Sequence, residues 1–279
     1  MPELSDDMLI FSDLDGSLLD HDTYDWQPAA HWLRRLRQHH IPVIITTSKT
    51  ACETILIRRE LGLEHCPFIA ENGASVALPE HWHTHADYPC KLFSAGYVDI
   101  CAVLERLRLE QPFNFSGFST LTDSDVATLT GLPLADAKRA RQRQASEPLL
   151  WHDDGAALQR FIHLLDRHGL ALTQGGRFYH VMGKGINKGR AASWLRLQYQ
   201  QVTGTTPITL SLGDGPNDIA LLQSTDYAVV IKSQSQQHIT LGEAYTGKAY
   251  FTHDTGPTGW SEGLCHFISD NKKREVCDE

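Results

Sequence analysis

The stretch Met8-Leu9-Ile10-Phe11-Ser12-Asp13-Leu14-Asp15-Gly16-Ser17 decides how the rest of the chain is read. Its first five residues form a short apolar run with no polar alternation, as expected of a parallel strand buried on both faces. Acid then follows abruptly. In extended backbone, residues two apart share a side, so Asp13 and Asp15 face one site while Leu14 turns inward. Two carboxylates so placed can divide labour between nucleophile or metal ligand and acid/base.

Moving outward, the same rhythm repeats. Ala29, Trp32, Leu33 and Leu36 recur at helical spacing, Pro42–Thr46 reads as the next strand and Ala51–Leu61 as the next helix, stopped at Gly62. Pro67–Ala70 and Ala74–Leu78 form a strand pair turned at Asn72-Gly73. The pattern changes near Trp82: helices at 97–110, 123–130, 133–145 and about 158–165 mix with short strands at 113–118, 148–152, 170–174 and 177–181. It then resumes with a helix at 188–201, strands at 208–213 and 227–231, and a closing helix at 259–267. The expected fold is therefore α/β, a doubly wound (Rossmann-like) parallel-sheet core over residues 1–81 and 185–279. An α+β cap domain is inserted at 82–184.

Three further polar strings fall at expected strand ends, where open α/β sheets bind ligands. Thr46-Thr47-Ser48-Lys49 offers hydroxyls and amides at a helix start, either as an anion site or as plain helix caps. Lys188 opens a helix, where a cation opposes the helix dipole unless an anion compensates. Gly213-Asp214-Gly215-Pro216-Asn217-Asp218 brings two carboxylates and an amide to a tight turn, suited to a hard cation. Asp13, Asp15, Asp214 and Asp218 crowd four acids against one lysine, so a phosphate ligand would demand a divalent cation, Mg²⁺.

The order DLDGSLLD, TTSK, a lysine and GDGPND resembles the four motifs of the haloacid dehalogenase-like phosphatase superfamily, and the insertion resembles its C2-type cap. That resemblance implies that Asp13 attacks phosphorus and that Asp15 protonates the leaving group and then activates water. Thr47, or a neighbour one register away, would hold a phosphoryl oxygen, and Lys188 would neutralise charge. Asp13, the backbone carbonyl of Asp15, and Asp214 would ligate Mg²⁺, with Asp218 ordering its water shell. Ser48, Lys49 and Asn217 would face the substrate. Within the superfamily, SDLDGSLLD, YDWQPA, TSKT, ENGA, GGRFYHV and LGDGPND look closest to mannosyl-3-phosphoglycerate phosphatases. Arg177 and His180 in GGRFYHV would then reach toward a glycerate carboxylate from the cap. The implied substrate is a small phosphorylated sugar or glycosyl-glycerate. Another sugar phosphate, a phosphomutase reaction, or a silent phospho-acceptor are the competing readings.

Composition excludes other classes. Lys plus Arg number 25 against 34 Asp plus Glu, a balance of −9 that gives no cationic field for nucleic acid or anionic lipid. No apolar run approaches the ~20 residues of a membrane span. Six scattered cysteines without a C-x-x-C pair read as reduced thiols, which fits the cytoplasm. His81, His83 and His85 read as a polar linker, and Lys138 to Arg143 as a solvated basic helix face.

Overall fold

The computed structural model describes residues 1–93, 96–175, 178–233, 239–243 and 245–269. β1 (Met8–Ser12) is buried along its whole length and leads to α1 (Ala30–Gln38) and β2 (Val43–Thr46). α2 (Ala51–Glu60) starts on a capping box: Thr50 Oγ1 accepts the Glu53 amide while the Glu53 carboxylate accepts the Thr50 amide. The helix cap is thus Thr50, which leaves Thr47, Ser48 and Lys49 in the loop before it. β3 (Phe68–Ala70) turns through Glu71, Asn72 and Gly73, all at positive φ, into β4 (Ser75–Ala77) and then β5 (Cys90–Leu92). His81 lies in a short 3-10 turn, and His85 bonds Gln198, so the alternate-histidine strand that zinc would need does not form.

The inserted segment runs α3 (Tyr97–Glu110), β6 (Phe115–Gly117), α4 (Asp123–Thr130), α5 (Leu134–Ala140), β7 (Ser146–Trp151), α6 (Gly155–Arg167), β8 (Leu170–Gly175) and β9 (Phe178–Gly183). Its strands form an antiparallel sheet in the order β6-β7-β9-β8. α3 and α6 cover it through Leu104, Leu107, Phe161 and Leu165. The helix expected over 133–145 ends at Ala140. Its terminal carbonyls are taken by side chains: Thr50 Oγ1 donates to Arg139 O at 3.0 Å and Arg143 Nε to Ala140 O at 2.9 Å.

The chain returns through α7 (Lys188–Thr203), β10 (Ile208–Gly213), α8 (Ile219–Gln223), β11 (Tyr227–Lys232), β12 (Lys248–Thr255) and α9 (Gly256–Phe267). The large sheet has the order β12-β11-β10-β1-β2-β3-β4-β5, parallel except for β4 and β5. It therefore continues through Leu92, past the boundary expected at residue 81. Met8 and Ile10 pack with α1 and α9 on one face, Leu9 and Phe11 with α7 on the other, which is the period-two signature of a doubly wound sheet. From β1 the chain winds outward to β2 and β3 on one side and later to β10 and β11 on the other. The β1–β10 boundary is the topological switch point.

The two layers meet at a small apolar cluster of Ala74, Ala145, Met182 and Ile186. Beside it the fully buried Glu71 carboxylate accepts the Gln144 amide at 2.8 Å, the Ala145 amide at 3.1 Å and Ser146 Oγ at 2.7 Å. Gly73, at φ +97°, lets the returning linker pass: a Cβ there would sit 2.3 Å from the Asn187 carbonyl. Among the described residues, no helix is long and apolar enough to cross a membrane.

Candidate active site

Because β1 and β10 are parallel neighbours in register from Met8↔Ile208 to Ser12↔Leu212, the loops after them open on the same side. Asp13 follows β1 and Asp214 follows β10. Lys188, at the first turn of α7, is completely buried and bridges Asp13 Oδ1 at 2.5 Å and Asp218 Oδ1 at 2.6 Å. Those acids compensate the cation that the helix dipole disfavours. Asp218 Oδ2 in turn accepts the amides of Asp214 (3.2 Å) and Gly215 (3.0 Å), fixing the turn, and Ser17 Oγ donates to Asp214 Oδ1 at 3.3 Å. β1 itself is pinned from behind: Trp260 Nε1 donates to Ser12 Oγ at 2.9 Å, and that hydroxyl donates to the Asp13 carbonyl at 2.7 Å.

Carboxylate oxygens of Asp13, Asp214 and Asp218 all lie within 4.8 Å of one another. One lysine cannot neutralise three acids. Burial, then Asp218, push the Asp13 carboxyl well above the usual carboxylate range, against the pull of Lys188. Burial, then Asp218, raise Asp214 to about 7. Burial works against the Lys188 ammonium, yet Asp13 and Asp218 outweigh it and hold its pKa above the ordinary lysine value. An all-oxygen donor set with this surplus of negative charge fits a hard divalent cation. The fit also depends on Gly16, whose φ is +82° and where a Cβ would stand 2.5 Å from Asp214 Oδ2.

Asp15 is set apart from that cluster. Its Oδ2 pairs with Lys49 Nζ at 2.9 Å, and its Oδ1 is buried without a partner. Burial opposes the Lys49 charge, but Asp15 and then Glu53 raise its pKa above the ordinary value. Both residues line a cavity of about 480 Å³ lying between the large sheet and the inserted layer. Ser48 and Asn217 line it too, and Asn217 Nδ2 donates to Asn72 Oδ1 at 3.1 Å. Thr47 does not reach the cavity wall: it is buried, its Oγ1 accepting the Lys49 amide at 3.2 Å, and Thr46 Oγ1 is turned back on the Ile44 carbonyl.

From the inserted layer, Phe178 and His180 reach the cavity as alternate residues of β9. Arg177 lies outside the described residues. Burial, then the charges of Arg143 and Lys188, push the His180 imidazole down to about 3, so the ring is neutral. Arg143 belongs to the run expected to form a solvated helix face and was not among the expected site residues. Because α5 ends early, Arg143 leaves the expected solvated face, lines the cavity, and donates from Nη1 to the Ser48 carbonyl at 2.9 Å. The neighbours in that run do behave as surface charges, Arg139 pairing with Asp136 and Arg141 with Asp123.

Known proteins share this plan. The family model for haloacid dehalogenase-like hydrolases matches residues 10–105, and that for sucrose-6F-phosphate phosphohydrolase matches 152–268. Among solved structures, one from a study of phosphatases of the haloalkanoate (HAD) superfamily in Bacteroides thetaiotaomicron is similar at TM-score 0.66 and 20% identity, covering 94% of this chain and 96% of that one. A Thermoplasma acidophilum protein matches at TM-score 0.65 and 16% identity, with 93% and 97% covered. The sucrose-phosphatase of Synechocystis sp., solved with sucrose and phosphate, matches at TM-score 0.62 and 16% identity, with 94% and 98% covered. The chain is thus similar in sequence to haloacid dehalogenase-like hydrolases over residues 10–105 and to sucrose-6F-phosphate phosphohydrolase over residues 152–268, and it shares the fold of these solved structures almost end to end.

Proposed function

We propose that the protein is a Mg²⁺-dependent phosphomonoesterase of a small phosphorylated sugar or glycosyl-glycerate, foremost 2-O-mannosyl-3-phosphoglycerate, releasing mannosylglycerate and phosphate. The observation that carries the reading is the separation of the two acids after β1. Asp13 is held by Lys188 inside the acid cluster, while Asp15 stands outside it, on the cavity wall, with one buried oxygen that has no hydrogen-bond partner. Residues 1–81 and 185–279, together with β5, would be the catalytic core, and the inserted layer its cap.

Asp13, Asp214 and Asp218, with the main chain at Asp15, would hold Mg²⁺, whose charge neutralises the carboxylates and lets a phosphoryl dianion enter. Asp13 attacks phosphorus as the ester P–O bond breaks, giving an aspartyl-phosphate. Asp15 delivers a proton to the departing alkoxide and then takes one from the water that cleaves the phosphorus–Asp13 bond. Lys188 holds Asp13 at its attacking position, and Lys49 orients Asp15. A 480 Å³ cavity suits a small ester and is too small for a macromolecule. The match of residues 152–268 to sucrose-6F-phosphate phosphohydrolase favours a second reading, the same chemistry on sucrose phosphate.

Phosphate release from a panel of mannosyl- and glucosyl-3-phosphoglycerate, sucrose 6-phosphate and hexose phosphates tests both. Asp13→Asn should lose at least about 10⁴-fold in kcat. Full activity in that variant, or no phosphate from any ester, would exclude the hydrolase reading. Isomerised ester without free phosphate would identify a mutase.

A further inference from the structure

The cations in and beside the cavity are not equivalent. Lys188 is committed to Asp13 and Asp218, and Lys49 to Asp15. Lys232 is exposed. Arg143 is partly buried and makes no carboxylate ion pair among the described residues. Its Nε donates to Ala140 O and its Nη1 to Ser48 O, both at 2.9 Å. A guanidinium carries five N–H groups, so three remain for a ligand. The Phe118 ring, 6.0 Å from its Cζ, forms part of the same wall.

His180, which lines the same cavity, is 4% exposed and its Nδ1 has no partner, although the ring is hydrogen-bonded to the Gly175 backbone. A neutral imidazole that donates from one nitrogen accepts at the other. The cap side of the cavity therefore carries one planar cation without a carboxylate ion pair, its charge felt by the buried Glu147, and one imidazole nitrogen without a partner. A carboxylate matches the first in fork geometry, where a lone hydroxyl would satisfy a single donor. A hydroxyl matches the second.

Resting on the phosphomonoesterase reading, we propose that Arg143 and His180 form a subsite for the non-reacting part of the ester. Arg143 grips a carboxylate and His180 accepts a hydroxyl beside it, so the substrate class is phosphorylated hydroxy acids and their glycosides. Arg143 is then the residue that selects acid esters over neutral sugar phosphates.

The test is the ratio of kcat/KM for 3-phosphoglycerate over glycerol 3-phosphate, which differ in the carboxylate, in wild type, Arg143→Ala and Arg143→Lys. A wild-type preference of about 10- to 100-fold should collapse toward unity in Arg143→Ala, chiefly through KM, and survive in part in Arg143→Lys. Equal losses on both esters would reduce Arg143 to a tether on the Ser48 carbonyl and overturn the proposal, as would a wild type without preference. Calorimetric binding of the two esters to the Asp13→Asn protein, with and without Arg143→Ala, separates the subsite from turnover. If no ester is hydrolysed but the Arg143-dependent binding preference stands, the hydrolase reading falls and the subsite remains. If binding shows no preference, the subsite falls.

Discussion

Glu71→Ala should destabilise the protein by about 3–4 kcal/mol. The side chain is fully buried, and its two oxygens accept three hydrogen bonds from the strand-entry segment of the inserted layer. Truncation strands the Ala145 amide and the Ser146 hydroxyl, both fully buried, at about 1–3 kcal/mol each. The Gln144 amide can turn to water, since that residue is exposed, and adds little. Backbone strain does not confound the comparison: position 71 sits at φ +51°, equally unfavourable for Glu and Ala. In urea melts the loss should appear as a lower midpoint, or as a fall of roughly 6–16 °C in Tm. Ser146→Ala alone and combined with Glu71→Ala closes a double-mutant cycle, with a coupling of about 1.5–3 kcal/mol expected for a hydrogen bond to a charged acceptor. Hydrogen exchange at residues 144–146 should accelerate in step. A loss below about 1 kcal/mol with no coupling would mean that the Ala74, Ala145, Met182 and Ile186 cluster holds the layers together and the carboxylate is incidental.

Three other perturbations follow from the site. Chelation should abolish turnover, and Mg²⁺ at 100 times its Kd should stabilise the protein by about 2.7 kcal/mol; activity retained in EDTA would contradict the charge argument. Gly16→Ala, which drives a methyl into Asp214, should raise the Mg²⁺ concentration for half-maximal activity by about 10-fold or more, and an unchanged Mg²⁺ titration would show that the loop yields. His180 should make the fold acid-sensitive. The unfolded ring takes up a proton below its ordinary 6.5, while the folded ring waits until about 3, so this contribution is complete above 6.5 and shrinks as pH falls. Between pH 7 and 5 wild type should lose about 2 kcal/mol more stability than His180→Phe, and parallel pH profiles would refute it.

Much of this was legible in the chain because buried parallel strands are apolar without interruption and acids directly follow them. MLIFS and ITLSLG mark β1 and β10, and their adjacency places Asp13 beside Asp214. The loop after β2 was half legible. Thr50-Ala51-Cys52-Glu53 is a capping box in plain sequence, and its recognition releases Ser48 and Lys49 from a capping role. That Thr47 turns inward is visible only in the packed loop. Arg143 was not legible. No glycine or proline stops α5 at Ala140; the stop is made by Thr50 from the large-sheet layer and by Arg143 itself. Glu71 was equally hidden, since its bonds join residues 73 to 75 positions apart. The β5 strand, three residues long and only partly buried, carries no periodicity from which to draw a boundary.

The place of β1 in the middle of its sheet imposes a schedule on synthesis. One flank of β1 pairs with β2 almost at once, but the other waits for β10, and the Trp260 bond to Ser12 waits longer still. About 200 residues separate Asp13 from Asp214, which at ~5–20 residues per second is some 10–40 s of translation. Through that interval MLIFS leaves the ribosome with an open apolar edge, while the inserted layer, whose four strands all lie between residues 115 and 183, can already close on itself. The nascent protein thus completes its inserted layer before the large sheet closes around β1, and the strand that leads into Asp13 is the segment most in need of a chaperone.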